Sequence, residues 1–562
     1  MLRRSDVQTR LSCVVAVLLC ALSAAQALPS PGPQHLAARA PASKPAGVSD
    51  LRGGGVLDPP HRRGWSPPLV MTIGLSSILW GYDQGVVTGA LLTIVPAYKL
   101  ETRPDLQGMV AAAGTFGTMI GSSSCGPVAD LFGRRTALLC AGAAYLTGSL
   151  IGGRSTTLTQ VVLGRLISGM GIGISAVGSA MYAAECAPAS SRGKILTVPQ
   201  MCGCIGFTLA YIRSIYACFV GHGYHTILGS SAPGAALLLA LVMAAPETPR
   251  WLLQHDRVKE AKEAVLTLRN QGEENAATEV AEIATAMAKE ESLAPAQLSL
   301  RKGPGAMASP RGLKRSMSTA DGLQSMRDPG IRRMMGICLG LHLAQALSGI
   351  NAVLAFKPRL LKEAGAITML QRIFPSLVGM DGAGAMVAVL MCYMPKLVLV
   401  YATLMTIDIL GRRFVAVVVT PLIGIALGIL ALSLSPFART KYPAESGLVA
   451  AVSLTVYSAL YSVCLGALPN MLSSELLPTR ARGFGMSSLM FANSVANIMV
   501  VSAFPYLQAK FGTSTTLVMY ATCMMFFSVF FYLFIPETSG LTLEQVTRIS
   551  EGKDPISGKP LS

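Results

Sequence analysis

The sequence predicts an all-α polytopic membrane protein, with twelve transmembrane helices in two pseudo-symmetric six-helix bundles. Of 562 residues, 51% are apolar and only 13% charged, and the mean hydropathy is +0.51. A soluble domain is about a quarter charged. Apolar runs near the roughly 20 residues that cross a bilayer recur along the chain. Three motifs also return in the same order at nearly one offset: DLFGRR at 130–135 as DILGRR at 408–413, ECAPASSRG at 185–193 as ELLPTRARG at 475–483, and PET at 246–248 as PET at 536–538. Tandem duplication of a six-span unit produces that pattern.

Taken in order, residues 1–28 read as a signal-peptide-like segment. Arg3, Arg4 and Arg10 precede the apolar core LSCVVAVLLCAL and small residues around AQA at 25–27. Residues 29–66 are rich in Pro, Ala and Arg and poor in acids, which predicts a disordered basic tail. That composition fits either a transit-like peptide or an unstructured tail behind an ordinary signal. An N-terminal bundle is expected over 67–245, with spans near 67–92, 108–129, 137–153, 159–185, 195–219 and 226–245. A C-terminal bundle is expected over 331–535, with spans near 331–356, 383–407, 413–436, 447–472, 484–508 and 515–535. Between them, 246–330 reads as a cytoplasmic linker. Its first part, WLLQHDRVKEAKEAVLTL, has the apolar spacing of a surface helix; GPGAMASPRGLKRSMSTADG at 303–322 reads as flexible. Residues 536–562 form a cytoplasmic tail.

The formal charge of +17 raises the question of nucleic acid. The cations, however, fall in short groups between apolar runs, GRR at 133–135, RGK at 192–194, GRR at 411–413 and RAR at 480–482. Positive-inside topology accounts for this, and no nucleic-acid partner is expected. The cysteines lie mostly within apolar runs, among them Cys125, Cys140, Cys186, Cys338 and Cys464, as small hydrophobes. CGC at 202–204 lacks a second ligand pair at zinc spacing, so neither a metal nor another cofactor is expected.

Charges inside spans are the candidate functional residues. In LWGYDQGVVTGALL, at 79–92, Asp83 is a lone carboxylate in an apolar run. An isolated charge there costs about 2.5 kcal/mol or more, so it faces a cavity, finds a partner or is protonated. Arg165, in GRLISG of the fourth span, is the obvious partner. A second group sits at cytoplasmic helix ends. Arg134 and Arg135 can bond orphan carbonyls or pair with Glu185, and Arg412 and Arg413 can do the same with Glu475. Asp130 and Asp408 can pair with Arg192 and Arg482. These residues either anchor helix ends, at about 0–1 kcal/mol per exposed pair, or form a latch that breaks when the cytoplasmic side opens. Their duplication in both halves favours the latch.

GYD, DLFGRR, GRLISGMGIG, YAAECAPASSRGK, PETPRWLL, SGIN, DILGRR, SSELLPTRARG and PETSGLTLEQV together resemble the sugar porter family of the major facilitator superfamily. The resemblance runs over about 70 to 545. It implies two six-helix bundles rocking about one central site, with a helical cytoplasmic domain on the linker. It also implies a monosaccharide as substrate, hexose-like, and a proton-coupling role for Asp83 and Arg165. Uniporters of the family often carry Asn at the GYD position, so Asp83 favours symport over facilitation; a structural ion pair fixing spans one and four is the alternative. The glycines of SGMGIGISAVG, at 168–178, read as close helix packing.

The family pattern further implies a sugar site with amides at Gln200, Gln345, Asn351 and Asn497. Asn493 stands where the family has Gln, and Asn470 where it has the Trp that lies against the sugar ring. Amides both donate and accept, as hydroxyls do; the plainer alternative is that they only join helices. Other departures are Ala346, Phe207 and Ser494 in place of two glutamines and a second Trp. Lys357, Lys396 and Arg213 bring cations into or near the spans. They either snorkel to an interface or meet an anionic group such as a sugar phosphate or carboxylate.

The expected partners are thus a small-molecule sugar, the proton and the lipid bilayer, with the chain a monomer. The alternatives are a facilitative carrier of a sugar, a polyol or an anionic sugar derivative, and a non-transporting nutrient sensor. No nucleophile–base arrangement or cofactor loop suggests an enzyme, and His342 reads as a helix-contact residue. The location is integral to a membrane, either the plasma membrane or an organellar envelope, a plastid's among them.

Overall fold

The computed structural model describes residues 67–186, 192–221, 223–269, 276–285, 329–373, 381–410, 412–466, 468–477 and 479–536, and these form helices and short connections without strands. The N-terminal segments 1–28 and 29–66, the linker stretch 303–322 for which the sequence predicts flexibility, and nearly all of the tail lie outside them. Six helices make the first half: α1 Pro67–Ala97, α2 Pro104–Phe132, α3 Arg134–Gly153, α4 Leu158–Cys186, α5 Arg192–Val220 and α6 Ala232–Ala244. The second half has α7, split into Pro329–Leu347 and Ile350–Glu363, then α8 Asp381–Leu410, α9 Arg412–Ser433, α10 Pro443–Val463, α11 Thr479–Phe511 and α12 Thr513–Phe534. Among the described residues, ten helices are long and apolar enough to cross a membrane. The other two are α2, diluted by glycine and serine, and α8, whose apolar part is Gly382–Leu397.

The duplication read from the motifs is visible in the packing. In the first half α2 packs on α4, α3 on α4, α1 on α5 and α3 on α6; in the second, α8 packs on α10, α9 on α10, α7 on α11 and α9 on α12. Each contact recurs six helices later. The seam between halves obeys the same rule, since α2 meets α11 as α8 meets α5, and α1 meets α7.

Glycine sets the closeness of the first bundle. On α2 a Cβ at Gly117 would overlap the Leu166 carbonyl oxygen, and one at Gly121 that of Met170. From α4, Gly169 and Gly173 press in turn on the carbonyls of Gly114 and Thr118. The packing reading of SGMGIGISAVG thus describes these contacts, and backbones approach as small residues permit.

Helix α7 breaks at Ser348–Gly349, where Gly349 has φ +76°. The carbonyl released at Ser348 accepts from Tyr457 Oη at 2.9 Å, which satisfies one of the main-chain groups freed by the break. The surface helix expected over 251–268 is instead two helices, Pro249–Gln254 and Val258–Arg269. The chain turns between them at Asp256, with φ +59°, and Trp251 and Leu252 pack onto Ala261 and Ala264. Periodicity alone did not register a turn that keeps both apolar faces in one cluster.

Candidate transport site

Asp83 lies at the middle of α1 and is buried against α4. Arg165 Nη1 donates to Asp83 Oδ2 at 2.7 Å and to its main-chain oxygen at 3.3 Å, and Ser168 Oγ donates to the same Oδ2 at 3.3 Å. Both charged side chains are 4% exposed. Gly114 of α2 leaves the space the guanidinium occupies, because a Cβ there would overlap it. The pair forms as the sequence suggested; Ser168 and Gly114 complete its surroundings.

Four of the six amides form a chain. Gln345 Nε2 donates to the Leu465 carbonyl at 2.9 Å, just past the end of α10. Asn493 Nδ2 donates to Gln345 Oε1 at 2.8 Å. Asn497 Nδ2 donates to Asn493 Oδ1 at 2.7 Å, and Asn351 Nδ2 to Asn497 Oδ1 at 2.7 Å. Asn351 stands one residue beyond Ile350, at the break of α7, and is exposed; Asn470 is also exposed. The Gln200 side chain lies outside the described ones. His342 is fully buried, with Nε2 3.3 Å from Ser473 Oγ, a helix contact as read. Phe207 joins an aromatic cluster across the seam, 5.7 Å from Tyr393, which meets Tyr211 edge-on at 5.3 Å.

The three intruding cations divide. Arg213, seven residues before the end of α5 and half-buried, has Nη2 on the Thr226 carbonyl at 3.1 Å and its guanidinium over Tyr216. Lys357 and Lys396 do not reach an interface; they are 0% and 8% exposed. The snorkelling expectation fails for both, since the break in α7 seats Lys357 deep beside α8.

At the helix ends that carry the basic clusters, Arg134 Nε donates to Glu185 Oε1 at 3.0 Å and Nη1 to the Ala129 carbonyl at 3.0 Å, with Asp130 Oδ1 3.3 Å away. Asp130 therefore faces Arg134 of its own turn. Arg192, Asp408, Glu475 and Arg482 have side chains outside the described set. Arg135 bonds carbonyls of α6, Val242 at 3.1 Å and also Met243, and Arg413 Nη2 bonds that of Tyr532 at 3.2 Å. Glu247, unassigned from sequence, is central. Its carboxylate accepts the main-chain N–H groups of Arg134 at 3.0 Å and Arg135 at 3.0 and 3.1 Å. Burial pushes its carboxyl above the usual carboxylate range, against the pull of the N–H groups of Thr248, Arg135 and Arg134. Thr248 Oγ1 donates to Glu185 Oε2 at 2.6 Å, closing the network. The contacts named here for Asp130, Arg134, Arg135, Glu185 and Glu247 stay within the N-terminal half and its linker.

The opposite ends carry the seam between halves. Arg359 Nη1 donates to Gln107 Oε1 at 3.1 Å and Thr88 Oγ1 to the Leu354 carbonyl at 3.1 Å, while a Cβ at Gly108 would overlap the Ser502 carbonyl oxygen.

The family model described as "Sugar (and other) transporter" matches residues 69–549. The chain belongs to the sugar transporter family. Among its relatives, Polyol transporter 5 of Arabidopsis thaliana is 29% identical over 509 residues, 88% of each chain. The D-xylose-proton symporter-like 3, chloroplastic, of the same plant is 28% identical, covering 87% of this chain and 83% of its own. The xylose transporter XylE from E. coli, in its inward open conformation, superposes with TM-score 0.66 at 22% identity, covering 86% of this chain and 99% of that one. This sugar transporter family member is thus an integral multi-pass membrane transporter with the major facilitator fold, and not an enzyme. What sequence reading missed in it are Glu247, Thr248 and Gln107. PET was visible as a repeat, but acceptors of main-chain N–H groups leave no spacing signature.

Proposed function

We propose that the chain moves a monosaccharide-sized polyhydroxylated substrate, a hexose, pentose or polyol, by alternating access with one proton coupled through Asp83 and Arg165. The single observation that carries this is the buried pair at 2.7 Å. In this contact the carboxylate and the guanidinium are each other's counter-ion. A rearrangement that withdraws the guanidinium leaves a lone buried anion, which is relieved by taking up a proton. Among the relatives are proteins named for polyols, for D-xylose and protons, and, in Bacillus subtilis, for myo-inositol, which supports this substrate range.

The amides Gln345, Asn351, Asn493 and Asn497 would bind substrate hydroxyls, with Asn470 and Gln200 completing the site. The exposure of Asn351 and Asn470 supports an open cleft beside them. Contacts at Gln107, Thr88 and Gly108, on the side away from the basic clusters, support a state closed to the exterior. The cytoplasmic residues Asp130, Arg134, Arg135, Glu185 and Arg192, with Asp408, Arg412, Arg413, Glu475 and Arg482, would then gate the other side, Glu247 binding the first set into one unit. The membrane is proposed to be the plasma membrane or an organellar envelope; imaging a fusion of residues 1–66 decides between them.

The test is uptake of labelled hexoses, pentoses and inositol into vesicles holding the purified protein, with and without a pH gradient. Accumulation above equilibrium only under the gradient is expected. Uptake that merely equilibrates, gradient or not, makes the protein a facilitator. Gln345→Ala and Asn351→Ala should each weaken apparent affinity about tenfold, the value of one or two lost hydrogen bonds, with normal expression. An unchanged KM removes the residue from the site.

A further inference from the structure

Lys357 is fully buried, and its Nζ has no hydrogen-bond partner. It lies in the half of α7 beyond the break, where side chains tilt back toward the helix N-terminus, the end that carries Ser348–Gly349. Lys396 of α8 is buried as well, its Nζ 5.3 Å over the Tyr393 ring, and the half of α7 that carries Lys357 packs on α8. Each costs about 2.5–3.5 kcal/mol to hold inside a bilayer. Among the described side chains, Asp83 is the only carboxylate set inside a span, and Arg165 already neutralises it. Among the described side chains, no carboxylate inside a span remains to neutralise Lys357 or Lys396.

We infer that the carried molecule is itself the counter-ion, a monosaccharide-sized polyhydroxy compound bearing a carboxylate or phosphate that Lys357 and Lys396 receive. This rests on the transport reading above and names its substrate class. Lys357 lies about 9 Å further along the half-helix than Asn351 and about 120° round from it, at 1.5 Å and 100° per residue. A short polyol chain can span the distance, hydroxyls on the amides and anionic end between the lysines.

The full-length chain in vesicles should take up gluconate or glucose 6-phosphate at least about tenfold faster than glucose, xylose or myo-inositol; the first two separate a carboxylate requirement from a phosphate one. Lys357→Met and Lys396→Gln should each abolish that preference. Lys357→Arg, which keeps the charge, should retain it, separating loss of charge from loss of fold. If glucose, xylose or inositol is carried and neither anion competes at hundredfold excess, the lysines are uncharged packing residues, and the inference falls while the transport reading stands. If none of the five compounds moves, both fall.

Discussion

Asp83→Asn is expected to abolish uphill accumulation while leaving exchange of substrate across the membrane intact. One pH unit is worth about 1.36 kcal/mol per proton, so a protein coupling one proton per substrate should accumulate it about tenfold under a one-unit gradient. The Asn variant should stop at a ratio of one. Asn is nearly isosteric, and its Oδ1 can still accept from Arg165 Nη1, so the bundle should fold. What it lacks is a site that gains and loses a proton. Counterflow in preloaded vesicles needs no net proton movement and should continue. If the pair served only to fix α1 against α4, the variant would lose yield or thermal stability and keep its coupling. Full accumulation by Asp83→Asn would remove this residue from the proton path.

Gly108→Leu is expected to hold the exterior side open and to cut net uptake at least tenfold. Gly108 of α2 meets the Ser502 main-chain oxygen of α11 directly, and that oxygen belongs to a helix that cannot yield as a side chain can. Overpacking in a fitted interior costs about 1–3 kcal/mol. Here relief is available by parting α2 from α11, which would also separate Arg359 from Gln107 and Thr88 from the Leu354 carbonyl. A Thr88→Cys reporter should react with a membrane-impermeant thiol reagent from outside only when Leu is present at 108. Unaltered uptake and an unreactive reporter would mean that this seam does not govern access.

Much of this was legible because membranes make sequence patterns blunt. A lone acid and a lone guanidinium in spans of one bundle leave little choice of partner, and Asp83 and Arg165 do meet. The glycines of α4 announced close packing, though only the structure identifies α2 as the face they press. Legibility fails where a contact depends on rotamer and depth. That Gln345 joins Asn493 and a carbonyl beyond α10 follows from where two helices stop. The fate of Lys357 follows from a break two residues long: an unbroken α7 would turn the same side chain elsewhere, and SGIN, which carries the family resemblance and the candidate amide Asn351, does not announce the break. Glu247 was hidden for another reason, since its partners are main-chain N–H groups, which every sequence possesses.

The backbone-to-backbone seam between α2 and α4 has a consequence for how this chain tolerates change. With Gly117, Gly121, Gly169 and Gly173 pressed on carbonyls of the facing helix, the seam is backbone against backbone at those four positions, so the pair works as a single stiff lever. In a saturation library selected for growth on the transported compound, those four columns should stand nearly empty, while exposed positions of the same helices, such as Phe116 and Ile120, accept most apolar residues.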